Sequence, residues 1–556
     1  MVNVKNLFGM AVMATALVGC SSNDNLAPDG NGGNKDGAAY ASFTINLPTT
    51  RATRATDGEP SFAEGDAKEY EVKNGTILIF DMDGKYVTSA QLGNMNPWKD
   101  IKTDGVTTAA TATVQLSGVT VGGSYQALVL LNNDVDDAPS KVTLPTSGES
   151  YADWSANAEN ANATYTNTDY IFMANAPKYT GTSTEPTTLV PVANICASRE
   201  QAEAQAATTV YVERGLAKVT MQKFNADGYS IAAGTYEGGK VEITAWQLDV
   251  TNKSTFPVHQ TDGLMTAWDQ IWNTGRFFDA TSSMFQRVYW GKDPNYSGGA
   301  LQDLAACKDA FNMITNDKVV GEAGIENPQY CLENTFDLAN MMQGQTTRVV
   351  FKAVFTPKGF TGSETFYKIG NNTAIWDATK LAQQIKTVAV TAMGITDAAE
   401  QNKYSVDLSK GSNISGVAGQ HLVEAGNIIY SGEAASSKVT EAIVNAINEK
   451  LGLSAKTGIS TYLNGEAYYI ARIKHFNELT HWEAGQAYDT DNAAFLGRYG
   501  VLRNNWYDLA VNSISGLGYP DIPEVKPNMP DDENEQFINV EVKILDWAKR
   551  SQSIDL

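Results

Sequence analysis

Read for the periodicity of its hydrophobic and polar positions, the chain is a succession of short runs rich in β-branched and aromatic residues, separated by Gly, Asn, Asp and Pro. Thr76 to Phe80, Tyr125 to Leu131, Val210 to Met221, Val241 to Val250 and Arg348 to Phe355 are the clearest. Such runs between turn residues predict strands, and so an all-β protein. One segment has a helical period instead. From Lys438 to Leu451, Val439, Ile443, Ile447 and Leu451 recur every four residues, with Ser436 or Ser437 as N-cap and Gly452 as the stop. A domain boundary is expected near Asn225-Ala226-Asp227-Gly228, after the long strand that ends around Phe224.

Two segments near opposite ends of the chain alternate strictly between apolar and polar residues. In the first, Ala41, Phe43, Ile45 and Leu47 share one face of a strand that Pro48 ends; in the second, Ile538, Val540, Val542 and Ile544 do the same. The first is followed by Thr49 to Arg54, a polar stretch in which Arg51 and Arg54 are open to a trypsin-like protease. The second is preceded by Tyr519 to Gln536, an acidic linker with Pro520, Pro523, Pro527 and Pro530, expected to stay extended and to be too polar to pack. This arrangement predicts strand exchange. A protease removes the first strand, and the C-terminal strand of a neighbouring subunit fills the groove by β-strand addition.

Composition narrows the class. The 556 residues are 42% hydrophobic and 19% charged, enough apolar material for extensive cores. With 41 Lys+Arg against 63 Asp+Glu the net charge is −22, which repels phosphate backbones and argues against nucleic acid as a partner. The apolar run Leu7 to Val18 is too short to cross a bilayer and reads as a secretory signal. Leu17-Val18-Gly19-Cys20 resembles a bacterial lipobox, which makes Cys20 the candidate lipid-bearing residue, and Ser21 to Gly37 reads as a flexible tether. Cys196, Cys307 and Cys331 form no CxxC pair; Cys307 and Cys331 are open to a disulfide or to buried thiols.

The lipobox, the Arg-bearing segment, the strand Val210 to Val219, and above all Val501-Leu502-Arg503-Asn504-Asn505-Trp506-Tyr507 running to Gly518 resemble the Bacteroidales fimbrilins, or type V pilins. The likeness is greatest to the stalk subunit of the short fimbriae, and it is most specific over the C-terminal third, from Tyr468-Tyr469 to Val540-Glu541-Val542 and Trp547. The resemblance implies two transthyretin-like Greek-key β-sandwich domains, with a minor helical insertion in the second. It implies a signal peptide at 1–20, a tether and removable strand at 21–54, sandwich domains at 55–224 and 225–518, the linker at 519–536 and the donor strand at 537–556. It also implies lipidation at Cys20 and export to the outer membrane, cleavage after Arg51 or Arg54 by an Arg-specific protease, and head-to-tail polymerisation with identical subunits through Ile538 to Ile544. Anchor and tip pilins are the further partners, adhesion and biofilm formation the role, and no catalysis or cofactor is implied. The alternatives are an anchor or tip accessory subunit and a glycan-binding outer-membrane lipoprotein. The latter would use Trp98, Trp154, Trp246, Trp268, Trp272 and Trp506 as a surface.

Two enzyme-like signals are weaker. Ile77-Leu78-Ile79-Phe80-Asp81-Met82-Asp83-Gly84 resembles the first motif of haloacid-dehalogenase-type phosphatases, but Lys85 stands where Thr is expected and Asp83-Gly84 also spells a hairpin turn. His475, Glu478 and His481 suggest a metal site in sequence alone, yet neither helical nor strand spacing puts all three on one face.

Overall fold

The computed structural model describes residues 38–48, 65–93, 99–103, 106–134, 141–160, 163–179, 186–264, 288–296, 301, 303–314, 319–475, 497–531 and 538–546. The all-β expectation is met. The N-terminal part is built on β1 (Ala39–Pro48), β2 (Gly75–Phe80), β3 (Tyr86–Gln91), β4 (Lys99–Thr103), β5 (Val106–Leu116), β6 (Gln126–Leu131), β7 (Met173–Asn175) and β8 (Thr208–Arg214), in the order β3-β2-β6-β7-β8-β1-β5-β4. The sheet curls on itself: Thr88 on β3 meets Ser117, just past β5, with their hydroxyls 3.2 Å apart. Ile77, Ile79, Val129 and Leu131 from one end therefore pack in the same core as Phe43, Ile45, Val114 and Leu116 from the other.

The expected strand Val210 to Met221 is two strands. Gly215 separates β8 from β9 (Leu216–Met221), which belongs to a different sheet. Its N–H donates to the Phe172 carbonyl at 2.8 Å, and a Cβ there would lie 3.2 Å from the Phe172 ring, so the crossing between sheets is made where the backbone must pass close to a core aromatic. The boundary expected at 224/225 thus falls after a strand that is already part of the second sheet system.

The C-terminal part adds β10 (Tyr229–Ser230), β11 (Lys240–Asp249), β12 (Gly324–Leu332), β13 (Arg348–Thr356), β14 (Phe366–Ile369), β15 (Val417–His421), β16 (Ile459–Tyr462), β17 (Glu466–Arg472), β18 (Asn505–Ile514) and β19 (Ile538–Asp546). Two four-stranded sheets, β12-β9-β18-β19 and β10-β11-β13-β17, face each other across a core that includes Val219, Trp246, Phe351, Tyr469, Tyr507, Leu509 and Val540.

The chain between β13 and β17 forms an insertion with its own core, larger than the minor helical one expected. It holds a sheet containing β14, β16 and β15, the long helix Ala378–Ala392 and the helix Glu441–Lys450. The predicted helix exists but begins later, capped by Thr440, whose side chain accepts from the Ile443 N–H; neither Ser436 nor Ser437 is the N-cap. The longer helix was not anticipated. Its Thr387, Val388, Val390 and Thr391 are β-branched, but Asp377 caps it and Leu381, Ile385 and Ala389 form a buried stripe.

Among the described residues no helix is long and apolar enough to cross a membrane. Cys307 and Cys331 are free thiols and, like Cys196, buried, so Cys307 and Cys331 are not joined. Asp81 to Gly84 is a hairpin turn between β2 and β3. Gly84 has φ +76°, and the Asp81 carboxylate accepts from the Asp83 and Lys85 N–H groups at 2.9 and 2.8 Å, so it is engaged by its own turn.

Candidate functional site

The first strand is the feature that the fold treats most unusually. β1 lies between two neighbours, antiparallel to β5 along its whole length, from Ala39↔Leu116 to Pro48↔Val106, and parallel to β8 from Phe43↔Thr208 to Asn46↔Tyr211. Ala39, Ala41, Phe43 and Ile45 are 0% exposed and Leu47 is 1% exposed, so the predicted inward face of Ala41, Phe43, Ile45 and Leu47 is buried in full and extends by one residue. A strand that begins the domain in sequence thus sits in the middle of its sheet. Without it, β5 and β8 would present two facing rows of unpaired backbone groups over an open apolar core.

The outer, polar face of β1 is partly closed by a short helix, α1 (Arg199–Ala204). The Ser42 hydroxyl donates to the Ala202 carbonyl at 2.9 Å and shares a 2.7 Å contact with the Thr113 hydroxyl of β5. Arg199 donates to the Thr113 carbonyl at 2.7 Å, and its guanidinium lies 5.7 Å from the Tyr40 ring. One position further on, Thr44 meets Thr111 in an exposed hydrogen bond. The sequence reading missed this cover, although Ser198 followed three residues later by Gln201 is an N-terminal helix signal.

The second predicted strand is β19, and it is not detached. It pairs antiparallel with β18 from Asn505↔Asp546 to Ile514↔Ile538, as the edge of its own sheet, and Val540 is 5% exposed within the C-terminal core. Ile538, Val542 and Ile544 lie on the same strand. The linker also packs, contrary to expectation. Tyr519 exchanges backbone hydrogen bonds with Tyr468, Val525 is buried, and Asp531 accepts from the Thr346 hydroxyl at 2.8 Å. The acidic composition concealed that Tyr519, Ile522 and Val525 punctuate the segment with apolar anchors. Of the remaining predicted residues, Cys20, Arg51 and Arg54 lie outside the described residues, as do Glu478 and His481. His475 is buried, 2.8 Å from the Tyr507 hydroxyl through Nδ1. Trp154, Trp246 and Trp506 are all buried, so none of the three offers a stacking surface; Trp98, Trp268 and Trp272 lie outside the described residues.

Where the chain becomes described again after the Arg-bearing segment, it is pinned between the two sheet systems. Glu69 is 1% exposed; its carboxylate accepts from Lys218 Nζ at 2.5 Å and from the Tyr330 hydroxyl at 2.6 Å, while its carbonyl accepts from Arg214 Nε at 2.8 Å. The Lys218 ammonium in turn lies 4.0 Å from the Trp506 ring centroid. Burial works to raise the Glu69 carboxyl, but Lys218, Tyr330 and Arg214 outweigh it and hold the group below its ordinary value. A depressed carboxylate contributes stability above its unfolded pKa of about 4.3, and that contribution is lost as pH falls through the folded value. Lys218→Met, which strands a buried carboxylate, is expected to cost about 3–5 kcal/mol at neutral pH and much less in acid. Denaturant titrations at both pH values check this; an equal loss at the two would contradict it.

Comparison with known proteins adds the following. Residues 460–553 match the family described as major fimbrial subunit protein type IV, fimbrillin, C-terminal. No curated protein matches the chain. Among solved structures, a provisionally named cell adhesion protein of Parabacteroides distasonis is 10% identical with a TM-score of 0.40, covering 94% of this chain and 100% of that one. The C-terminally truncated tip fimbrial protein of Porphyromonas gingivalis is 11% identical with a TM-score of 0.29, covering 91% and 100%. A fimbrial assembly protein of Parabacteroides distasonis is 12% identical with a TM-score of 0.22, covering 58% and 96%.

Proposed function

We propose that this chain, fimbrillin-type over its C-terminal segment, is a structural subunit of a cell-surface fimbria and assembles by strand exchange. The observation that carries the reading is β1, a buried central strand that leads directly into the segment holding Arg51 and Arg54. The precursor is exported as a lipoprotein through Cys20 and folds with β1 in place. An Arg-specific protease cuts after Arg51 or Arg54, β1 departs, and β19 of the next subunit takes its place in the transthyretin-like N-terminal domain. The resulting fibre of identical subunits, completed by anchor and tip pilins, supports adhesion and biofilm formation without catalysis. Among the described residues of the unassembled subunit β19 pairs with β18, at the edge of its sheet; in the slot it gains two ladders.

The test is the intact mass and N-terminal sequence of protein sheared from cell surfaces. A chain starting at Ala52 or Ala55, polymeric until heated in detergent, is the expected result. A monomer that begins at a lipidated Cys20 would overturn the stalk assignment in favour of an anchor subunit or a surface lipoprotein.

A further inference from the structure

The slot around β1 is not uniform along its length, and that asymmetry selects how an incoming strand can lie in it. On the inner face the seats of Ala39, Ala41, Phe43, Ile45 and Leu47 are all closed. On the outer face the Ser42 seat is closed, with Ser42 6% exposed under an Ala202 that is itself 1% exposed, whereas the Thr44 seat opens to solvent. The cover stays when β1 leaves, because Arg199 fastens α1 to the Thr113 carbonyl of β5. An incoming strand must therefore present to the Ser42 seat a side chain that is short, donates to the Ala202 carbonyl and accepts from the Thr113 hydroxyl.

We propose that this seat sets one register and one direction for the C-terminal strand of a second copy of the chain: Asn539 takes the place of Ser42 beneath α1, and the strand runs as β1 does. The inference rests on the strand-exchange reading above. The outward residues of the alternating segment are Asn539, Glu541 and Lys543. Glu541 is acceptor-only when ionised and would face the Ala202 carbonyl as an uncompensated buried charge. Lys543, which the reversed strand would bring to this seat, carries a long stem and no acceptor for the Thr113 hydroxyl. Asn539 has one amide donor group and one acceptor on a short side chain, matching both partners. Reversing the strand about Asn539 would put both Gln536 and Asn534 into the buried Ile45 and Leu47 seats, whereas the parallel strand puts one amide, Gln536, at the end seat of Ala39, so the slot disfavours the reversed direction. Shifting the parallel strand by two residues would bring Phe537 or Glu541 under α1.

In the remaining arrangement the four aliphatic residues fall on the inner seats from Ala41 to Leu47, while Gln536 meets the end seat of Ala39 and Lys543 the outer seat of Asn46, which is 9% exposed. Ile538, Val540, Val542 and Ile544 replace Ala41, Phe43, Ile45 and Leu47, and Glu541 emerges at the open Thr44 seat. Phe537, in sequence, aligns with Tyr40, the ring beneath Arg199. The seats of Ala41 and Phe43 exchange a small and a large side chain for a large and a medium one, and being neighbours on one face they repack together.

Disulfide trapping in assembled fibres tests this. In β5, Thr113 is the Cα partner of Ser42 and Thr111 that of Thr44. Chains carrying Thr113→Cys with Asn539→Cys, or Thr111→Cys with Glu541→Cys, are expected to give covalent ladders of subunits on non-reducing, boiled detergent gels, and single-cysteine chains none. The second pair lies at the exposed seat and remains informative if Thr113→Cys lowers assembly. Ladders from Thr113→Cys with Glu541→Cys, or with Lys543→Cys, in place of Asn539→Cys would overturn the register or the direction while leaving strand exchange standing. Fibres that form and cross-link with none of these pairs would overturn strand exchange itself.

Discussion

Cells producing a chain truncated after Gln536 are expected to display processed, folded subunits and no fibres. The four aliphatic residues of the missing face, Ile538, Val540, Val542 and Ile544, are worth roughly 1.5–3 kcal/mol each on burial, or about 6–12 kcal/mol together. That is comparable with the ~4–15 kcal/mol cost of bringing two subunits together. The side chains alone therefore leave little surplus. The ladder bonds to β5 and β8 decide the outcome, because they cannot go unmade in a closed slot. The truncated chain also loses the edge strand of its own C-terminal sheet and Val540 from the core. Its melting temperature should drop, but β18 keeps its pairing with β9 and the domain stays folded. Electron microscopy of the cell surface, with circular dichroism of the purified subunit, separates the two effects. Fibres of normal length from this chain would sink the assignment of β19 as donor. Val540→Asp is a less clean probe, since it places a carboxylate in the subunit's own core as well as in the slot.

Replacing both Arg51 and Arg54 by Ala is expected to stop assembly one step earlier. Lipid-bearing precursor should accumulate as monomer, because β1 cannot leave while it is continuous with the domain. Displacing it would break an antiparallel and a parallel ladder at once and expose Phe43, Ile45 and Leu47, at roughly 1.5–3 kcal/mol each, before any replacement arrives. A cut just beyond Pro48 removes the covalent tether without touching the slot. The single variants identify the cut bond: mass spectrometry of surface protein should show a start at Ala55 in Arg51→Ala if Arg54 suffices, and at Ala52 in the converse case. Normal fibres from the double variant would mean that β1 is not the strand removed.

Period-two alternation was enough to mark β1 and β19 as strands, since one inward and one outward face leave the same trace in any sheet. The Asp83-Gly84 turn and the helix centred on Ile443 and Ile447 were legible for similar local reasons: a positive-φ glycine, and an apolar stripe with a nearby cap. Local signals failed where a long-range contact outweighed composition. Tyr519, Ile522 and Val525 draw an acidic, proline-rich linker onto the C-terminal domain, and an Asp377 cap with a Leu381-Ile385-Ala389 stripe overrides the β-branched run from Thr387 to Thr391.

The sequence by itself determined that the protein is all-β, that Ala41 to Leu47 bury one face, that Ile538 to Ile544 is a strand with the same alternation, and that arginines follow the first of them. Only the tertiary structure decided what those faces meet. Whether β1 is an edge or a central strand depends on β5 and β8, which are distant in sequence, and so does the cover that α1 lays over Ser42. The joining of Glu69 to Lys218, Arg214 and Tyr330 is likewise a pairing of groups far apart in the chain. Alternation encodes the burial of a face, which is a property of one strand. The order of strands in a sheet and the pairing of buried charges are properties of how separate segments come together, and no single segment carries them.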